Sequence, residues 1–204
     1  MKTSLSFKIF FFLTLLINFA CGKSYLSEQE LIEYIAKPEN GLSKEFNIQD
    51  TRVVLTYRPV ELILQKNYSN EPEEIKDSIR SALDNYFYFL LKMTYQGQDF
   101  ENKFAGDPIA YPNVISYFSY DFSNHISLTK GENSQPIPLA DYAYIRTYNM
   151  TGTTSILLVF DKEALIDSDK ITINIQDNEV GLGHLKFSFY TRDIENSPRL
   201  KPLI

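Results

Sequence analysis

Ten consecutive residues, 86–95, read Tyr-Phe-Tyr-Phe-Leu-Leu-Lys-Met-Thr-Tyr. Aromatic residues of this kind favour extended backbone. Because a strand alternates its side chains between two faces, an extended run of this composition is apolar on both. Such a strand must lie at the centre of a sheet, covered by a helix or by a second sheet. The run is therefore the expected middle of the core. Directly before it, Pro72-Glu73-Glu74 opens a helix, with proline at a permitted first-turn position and two carboxylates facing the positive end of the helix dipole. Ile75, Ile79, Ala82 and Leu83 fall on one side of that helix, which ends near Asn85.

The flanking segments follow the same logic. Ser27-Glu28-Gln29-Glu30 has the spacing of a capping box, and Pro38 stops the helix that it starts. Residues 42–46 and 51–57 read as two strands, and residues 60–66 as a short helix after Arg58-Pro59. Residues 96–112 are polar with Gly and Pro, the composition of a surface connection. Beyond them, alternation predicts strands at 114–122, 142–148, 171–175 and 185–189, with a short strand at 126–128 and a strand buried by composition at 155–160. The expected fold is α+β: N-terminal helices with a small sheet, then an antiparallel β-sandwich of immunoglobulin-like type over about 86–204. Residues 27–204 are expected to form one domain, and no repeat of 20–50 residues suggests a solenoid.

The first 21 residues have a different character. Lys2 and Lys8 precede an apolar run over 9–19, and Ala20 stands before Cys21, the single cysteine of the chain. This is the layout of an export signal over 1–20. About 11 apolar residues are too few for a helix crossing a hydrocarbon core, which takes roughly 20. The Ala20-Cys21 junction resembles a bacterial lipoprotein precursor. Pro38-Glu-Asn-Gly-Leu42 with Tyr57-Arg58-Pro59 is similar to segments of lipoproteins of the Bacteroidota. That resemblance implies cleavage before Cys21, attachment of diacylglycerol to its thiol and usually acylation of the new amino group. Residues 21–26 would then be a lipid-anchored spacer. The protein would be exported and held in the cell envelope, at the outer rather than the inner membrane because no Asp follows Cys21. An ordinary cleaved signal leaving a free thiol is the alternative.

Removing the leader leaves 18 basic against 26 acidic residues, a net charge of about −8. No basic stripe offers itself to phosphate backbones, so nucleic acid is not an expected partner. Without a second cysteine no internal disulfide forms, and stability must come from buried apolar surface.

The residue types needed for catalysis are scarce. His125 and His184 are the two imidazoles, and neither accompanies a nucleophile motif. No His/Cys zinc set is available, and no cofactor is implied. Asp167-Ser168-Asp169 and Asp177-Asn178-Glu179 offer oxygen atoms to calcium, but without the spacing of an EF-hand they read first as turn caps. The chain holds 14 Tyr and 15 Phe with no Trp. Tyr142, Tyr144, Tyr148 and Tyr190 lie on strand faces that either form a binding patch or pack across strands. The sequence therefore predicts a membrane-tethered, non-enzymatic binding or assembly module of the envelope, with an envelope protein as a possible partner. A small hydrolase using carboxylates, and a sandwich binding carbohydrate or calcium, are the alternatives.

Overall fold

A computed structural model describes residues 25–131, 134–163 and 168–201. The expected signal and Cys21 lie outside these residues.

The fold is mixed α+β and is built from two antiparallel sheets that share one core. The larger has the order β2–β3–β4–β9–β8, formed by Ser43–Ile48, Thr51–Tyr57, Tyr86–Tyr95, Thr154–Asp161 and Asp141–Ile145. The apolar run 86–95 is β4, and it does lie at the centre, with β3 and β9 on its two sides. A short strand β5 (Gln98–Asp99) folds back onto the end of β4. The smaller sheet runs β11–β10–β6–β7, from Gly183–Tyr190, Lys170–Asp177, Ile126–Thr129 and Ile137–Pro138. The small N-terminal sheet expected from the sequence is thus one side of the larger sheet, because β3 finds its second partner in β4.

Alternation sorts each strand into an inner and an outer face. Val53 and Leu55 of β3, Phe87, Phe89, Leu91 and Met93 of β4, and Ile156, Leu158 and Phe160 of β9 are buried inside. Ile171, Ile173, Ile175, Leu185, Phe187 and Phe189 meet them from the smaller sheet. The rings of Phe89 and Phe189 lie 5.0 Å apart, and Phe89 also touches Tyr57 and Phe160 edge-on. Each fully buried phenylalanine contributes about 1.5–3 kcal/mol of transfer free energy. The phenylalanine-rich composition is what closes the two sheets on each other.

Among the described residues, five α-helices flank this pair. Helix α1 (Glu28–Ala36) begins at the capping box expected for Ser27: its hydroxyl accepts from the Glu30 amide, and Glu30 accepts from the Ser27 amide. Helices α2 (Val60–Tyr68) and α3 (Glu73–Leu83) pack on the outer face of the large sheet. Val60, Ile63 and Leu64 cover Tyr88 and Val159 there, with Ile79 and Leu83 behind them. Helix α5 (Thr191–Glu195) follows β11.

Residues 114–122 correct the expected strand. They form helix α4 (Ala110–Ser116), a π turn at Tyr117–Asp121 and a 3-10 turn at Phe122–His125. Val114, Phe118 and Phe122 are four apart, a spacing that suits period 2 as well as a helix. Tyr117 breaks the tie, since it is buried with them while Tyr120 is 77% exposed. Asp107 supplies the missed start signal, its carboxylate accepting from the amides of Ile109 and Ala110, with Pro108 between.

At the other end of the chain, β1 (Tyr25–Leu26) pairs in parallel with β12 (Arg199–Leu200). The last two residues of the expected spacer are therefore strand. Cys21 precedes this pairing by four residues, a reach of at most about 14 Å. No helix among the described residues is long and apolar enough to cross a membrane.

Candidate anion-binding groove

The outer face of the large sheet is covered on one half only. Helix α2 seals the row through Tyr88 and Val159. Two residues further along β4 the row Thr56–Leu90–Leu157 is half-buried, and two beyond that comes Val54–Lys92–Ser155–Ile145. Lys92 is the one charge in the ten-residue central strand. Its register places it on the open half, beside the Ser155 hydroxyl.

A cavity of about 400 Å³ opens here, between the side of α2 and the segment 147–153. Arg58, Lys66 and Lys92 line it, together with Asn67, Thr147, Thr151, Thr153 and Ser155, over a floor of Ile63, Leu90, Leu157 and Ile145. No carboxylate is in the lining. Among the described residues the side chains of Arg58, Lys66 and Lys92 make no ion pair and no hydrogen bond. Burial, and then the positive charges of Arg58, Lys66 and Arg52, push the Lys92 ammonium below its ordinary value. The guanidinium of Arg58 is likewise lowered by burial, with Glu28 acting weakly the other way. These like charges are held together by the fold, against their mutual repulsion, in a chain that is acidic overall. Arg52, further along the face, is neutralised by a bidentate pair with Glu45 at 2.6 and 2.9 Å.

Two buried carboxylates behind the sheet fix the far wall. Asp99, 4% exposed, accepts from the Thr147 hydroxyl at 3.0 Å and from the Asn149 amide at 2.8 Å. Its Oδ1 has no hydrogen-bond partner among the described residues. Glu101, 6% exposed, accepts from the hydroxyls of Tyr144 and Thr154, and Thr154 in turn accepts from the amide of Phe100 at 2.8 Å. Tyr148 and Asn149 adopt left-handed backbone, φ 52° and 63°, where the chain reverses around Asp99. A Cβ on Gly152, itself at φ 66°, would come within 3.0 Å of the Gly97 carbonyl oxygen. The segment 147–153 is thus clamped, and Thr147, Thr151 and Thr153 face the groove because of it. Within the connection 96–112, whose length suggests a role in packing or binding, Asp99, Phe100 and Glu101 are buried.

The four tyrosines singled out in the sequence do not come together. Tyr142 and Tyr144, on β8, are half-buried and turned inward, the first donating to the Phe118 carbonyl at 2.7 Å. Tyr148 and Tyr190 are exposed, each under an arginine: Arg146 at 4.6 Å and Arg192 at 4.9 Å. Strand β8 is one edge of the large sheet, whereas Tyr190 ends β11, which contacts β2 at the opposite edge.

Of the expected calcium ligands, Asp177 is 1% exposed and accepts from the amides of Glu179, Val180 and Leu182 and from the Tyr117 hydroxyl. It is a turn cap, and Asp167 lies outside the described residues. Among the described residues no three His, Cys, Asp or Glu side chains are grouped to hold a metal ion. A second cavity, of about 700 Å³, is lined by Asp121, His125 and Glu179. His125 packs against the ring of Tyr117 at 5.7 Å and makes no hydrogen bond to either carboxylate. A further cavity, of about 1130 Å³, mixes Asp84, Asp161, Glu163, Asp169 and Glu195 with Lys162 and Arg192, so its charges partly cancel. Among these cavities the groove is the one whose charged lining is cationic throughout. Comparison with protein-family models, with curated proteins and with solved structures finds no match to this chain.

Burial, and then the bond to Glu101, hold the Tyr144 phenol well above its ordinary value of 10. Burial does the same at Tyr57, Tyr117 and Tyr142 and pushes Tyr88 up to about 12. A phenol raised in the folded state stabilises the fold fully below pH 10. That contribution is lost as pH rises from 10 through the folded value, because the unfolded chain then ionises first. Melting temperature should fall progressively above about pH 10. Absorbance of these phenolates should appear together with loss of near-ultraviolet circular dichroism, and ionisation in the still-folded protein would contradict the burial described.

Proposed function

We propose that this chain is a membrane-tethered, non-enzymatic binding module of the cell envelope, held by a lipid on Cys21 and recognising an anionic ligand in the groove. The observation that carries the recognition half is the set of three unpaired cations facing one cavity with no acid in its wall. Like charges gathered on one surface attract an anion through their summed field. The shared core of the two sheets supports reading the C-terminal half as a sandwich of immunoglobulin-like type, a rigid scaffold on which loops and edges carry the site. The tethering half rests on the leader and the lone cysteine. Because β1 begins at Tyr25, such an anchor would hold the β1/β12 end of the domain within a few residues of the bilayer.

Each half has its own test. Sulfate at a few millimolar, compared with chloride at the same ionic strength so that its general salting-out effect is negligible, should raise the melting temperature of residues 22–204 by at least about 2 °C. Lys92→Met should abolish that increment while leaving the sulfate-free melting temperature unchanged or higher, since it removes one of three repelling cations. An increment that survives in Lys92→Met would place the anion elsewhere.

For the anchor, cells given a fatty-acid analogue should label the wild-type protein and not Cys21→Ala. Label retained by that variant would end the lipid assignment.

A further inference from the structure

We infer that the ligand of the groove is a phosphorylated, hydroxyl-bearing small molecule of about sugar-phosphate size, its phosphate between Arg58, Lys66 and Lys92 and its hydroxyls on Asn67, Thr153 and Ser155. This rests on the groove being the recognition site and goes on to say what fills it.

Three features of the lining select that chemistry. The first is charge: three cations without a carboxylate match a group of charge near −2, as a phosphomonoester carries at neutral pH, better than a single carboxylate. The planar fork of Arg58 and the two ammonium groups supply donors to all three free oxygens of such a group. The second is the set of unspent polar groups. The side chains of Asn67, Thr153 and Ser155 make no hydrogen bond among the described residues, while the neighbouring hydroxyls of Thr147 and Thr151 are already bonded to Asp99, to each other and to the chain. An apolar or bare inorganic ligand would cover these groups and leave them unpaired, a loss that a polyhydroxylated ligand avoids. The third is the floor. Leu90 and Leu157 are half-buried and present flat aliphatic surface to the C–H face of a ring, in a volume of about 400 Å³ that lies in the range of small-molecule sites.

The phosphate could belong to a soluble metabolite or to a lipid headgroup. Helix α2 bears on both possibilities: Ile63, Lys66 and Asn67 line the groove, while Glu61, Leu64 and Gln65 line a cavity shared with Leu200 and Lys201 of the β1/β12 end.

Calorimetry on the mature domain, from residue 22, separates the possibilities with glucose 6-phosphate, inorganic phosphate, citrate and glucose as probes. Glucose 6-phosphate should bind one to one and roughly tenfold or more tighter than inorganic phosphate or citrate, with glucose alone silent. Lys66→Met and Lys92→Met, both at exposed positions, should each weaken it about tenfold. Thr153→Val with Ser155→Ala should weaken glucose 6-phosphate and leave inorganic phosphate unchanged. Flotation with vesicles containing phosphatidylinositol 4-phosphate, whose headgroup carries a phosphomonoester beside free hydroxyls, against phosphatidylcholine alone, reads the headgroup source: binding lost when Lys66→Met and Lys92→Met are combined assigns the phosphate to a lipid. Equal affinity for inorganic phosphate, citrate and glucose 6-phosphate, all lost in the lysine variants, would overturn the ligand class and leave an anion site standing. Absence of binding to every anion and to both vesicles, or binding indifferent to Lys66 and Lys92, would overturn both.

Discussion

Burial of two carboxylates is the constraint on which the site depends. Asp99 ends the β5 strand that folds back on β4, Glu101 follows two residues later, and both have been taken out of water, so each needs donors from elsewhere in the chain. The donors come from one stretch: Tyr144 on β8, Thr147 and Asn149 in the connecting segment, and Thr154 at the start of β9. One pair of acids therefore fixes the last strand of the large sheet, the reversal after it and the beginning of the next strand. That reversal runs through two left-handed residues, a backbone that persists where surrounding contacts impose it. The wall of the groove is a by-product of satisfying buried charge.

The second determinant is unequal covering. The inner face of the large sheet is closed by phenylalanines from both sheets, and half of its outer face is closed by α2 and α3. The remaining half carries Lys92 in the middle of an otherwise apolar strand. Arg58 and Lys66 arrive beside it from the start and the end of the α2 segment, so the cationic cluster joins residues from three places in the chain. In a protein of net charge −6, such a cluster gives the surface a local sign opposite to its average, and this local field, rather than the mean charge, meets a ligand.

Much of this was legible in the residues. The centrality of 86–95, the capping box at Ser27 and the strands over 51–57 and 171–175 follow from local pattern, because periodicity and caps are properties of short stretches. The strand expected at 114–122 is instead helical: a spacing of four satisfies two periods at once, and Asp107-Pro108 carries the start signal. The site was hidden for a different reason. Arg58, Asn67, Lys92 and Thr153 share no motif, and only strand register and the docking of α2 bring them together. One clue was available: a lysine flanked by Leu91 and Met93 in a central strand must emerge on an uncovered face or pair with an acid. The tyrosines illustrate the reverse error, since β8 lies at a sheet edge where alternation alone does not tell which face is dry.

The account stands on the groove being where an anion binds. Crystals of residues 22–204 soaked in tungstate, a dense oxyanion, test this directly. The account predicts an anomalous peak within hydrogen-bonding distance of the Lys92 ammonium and the Arg58 guanidinium, absent from crystals of the Lys92→Met variant. Peaks confined to other surfaces, with the groove empty at saturating tungstate, would contradict it.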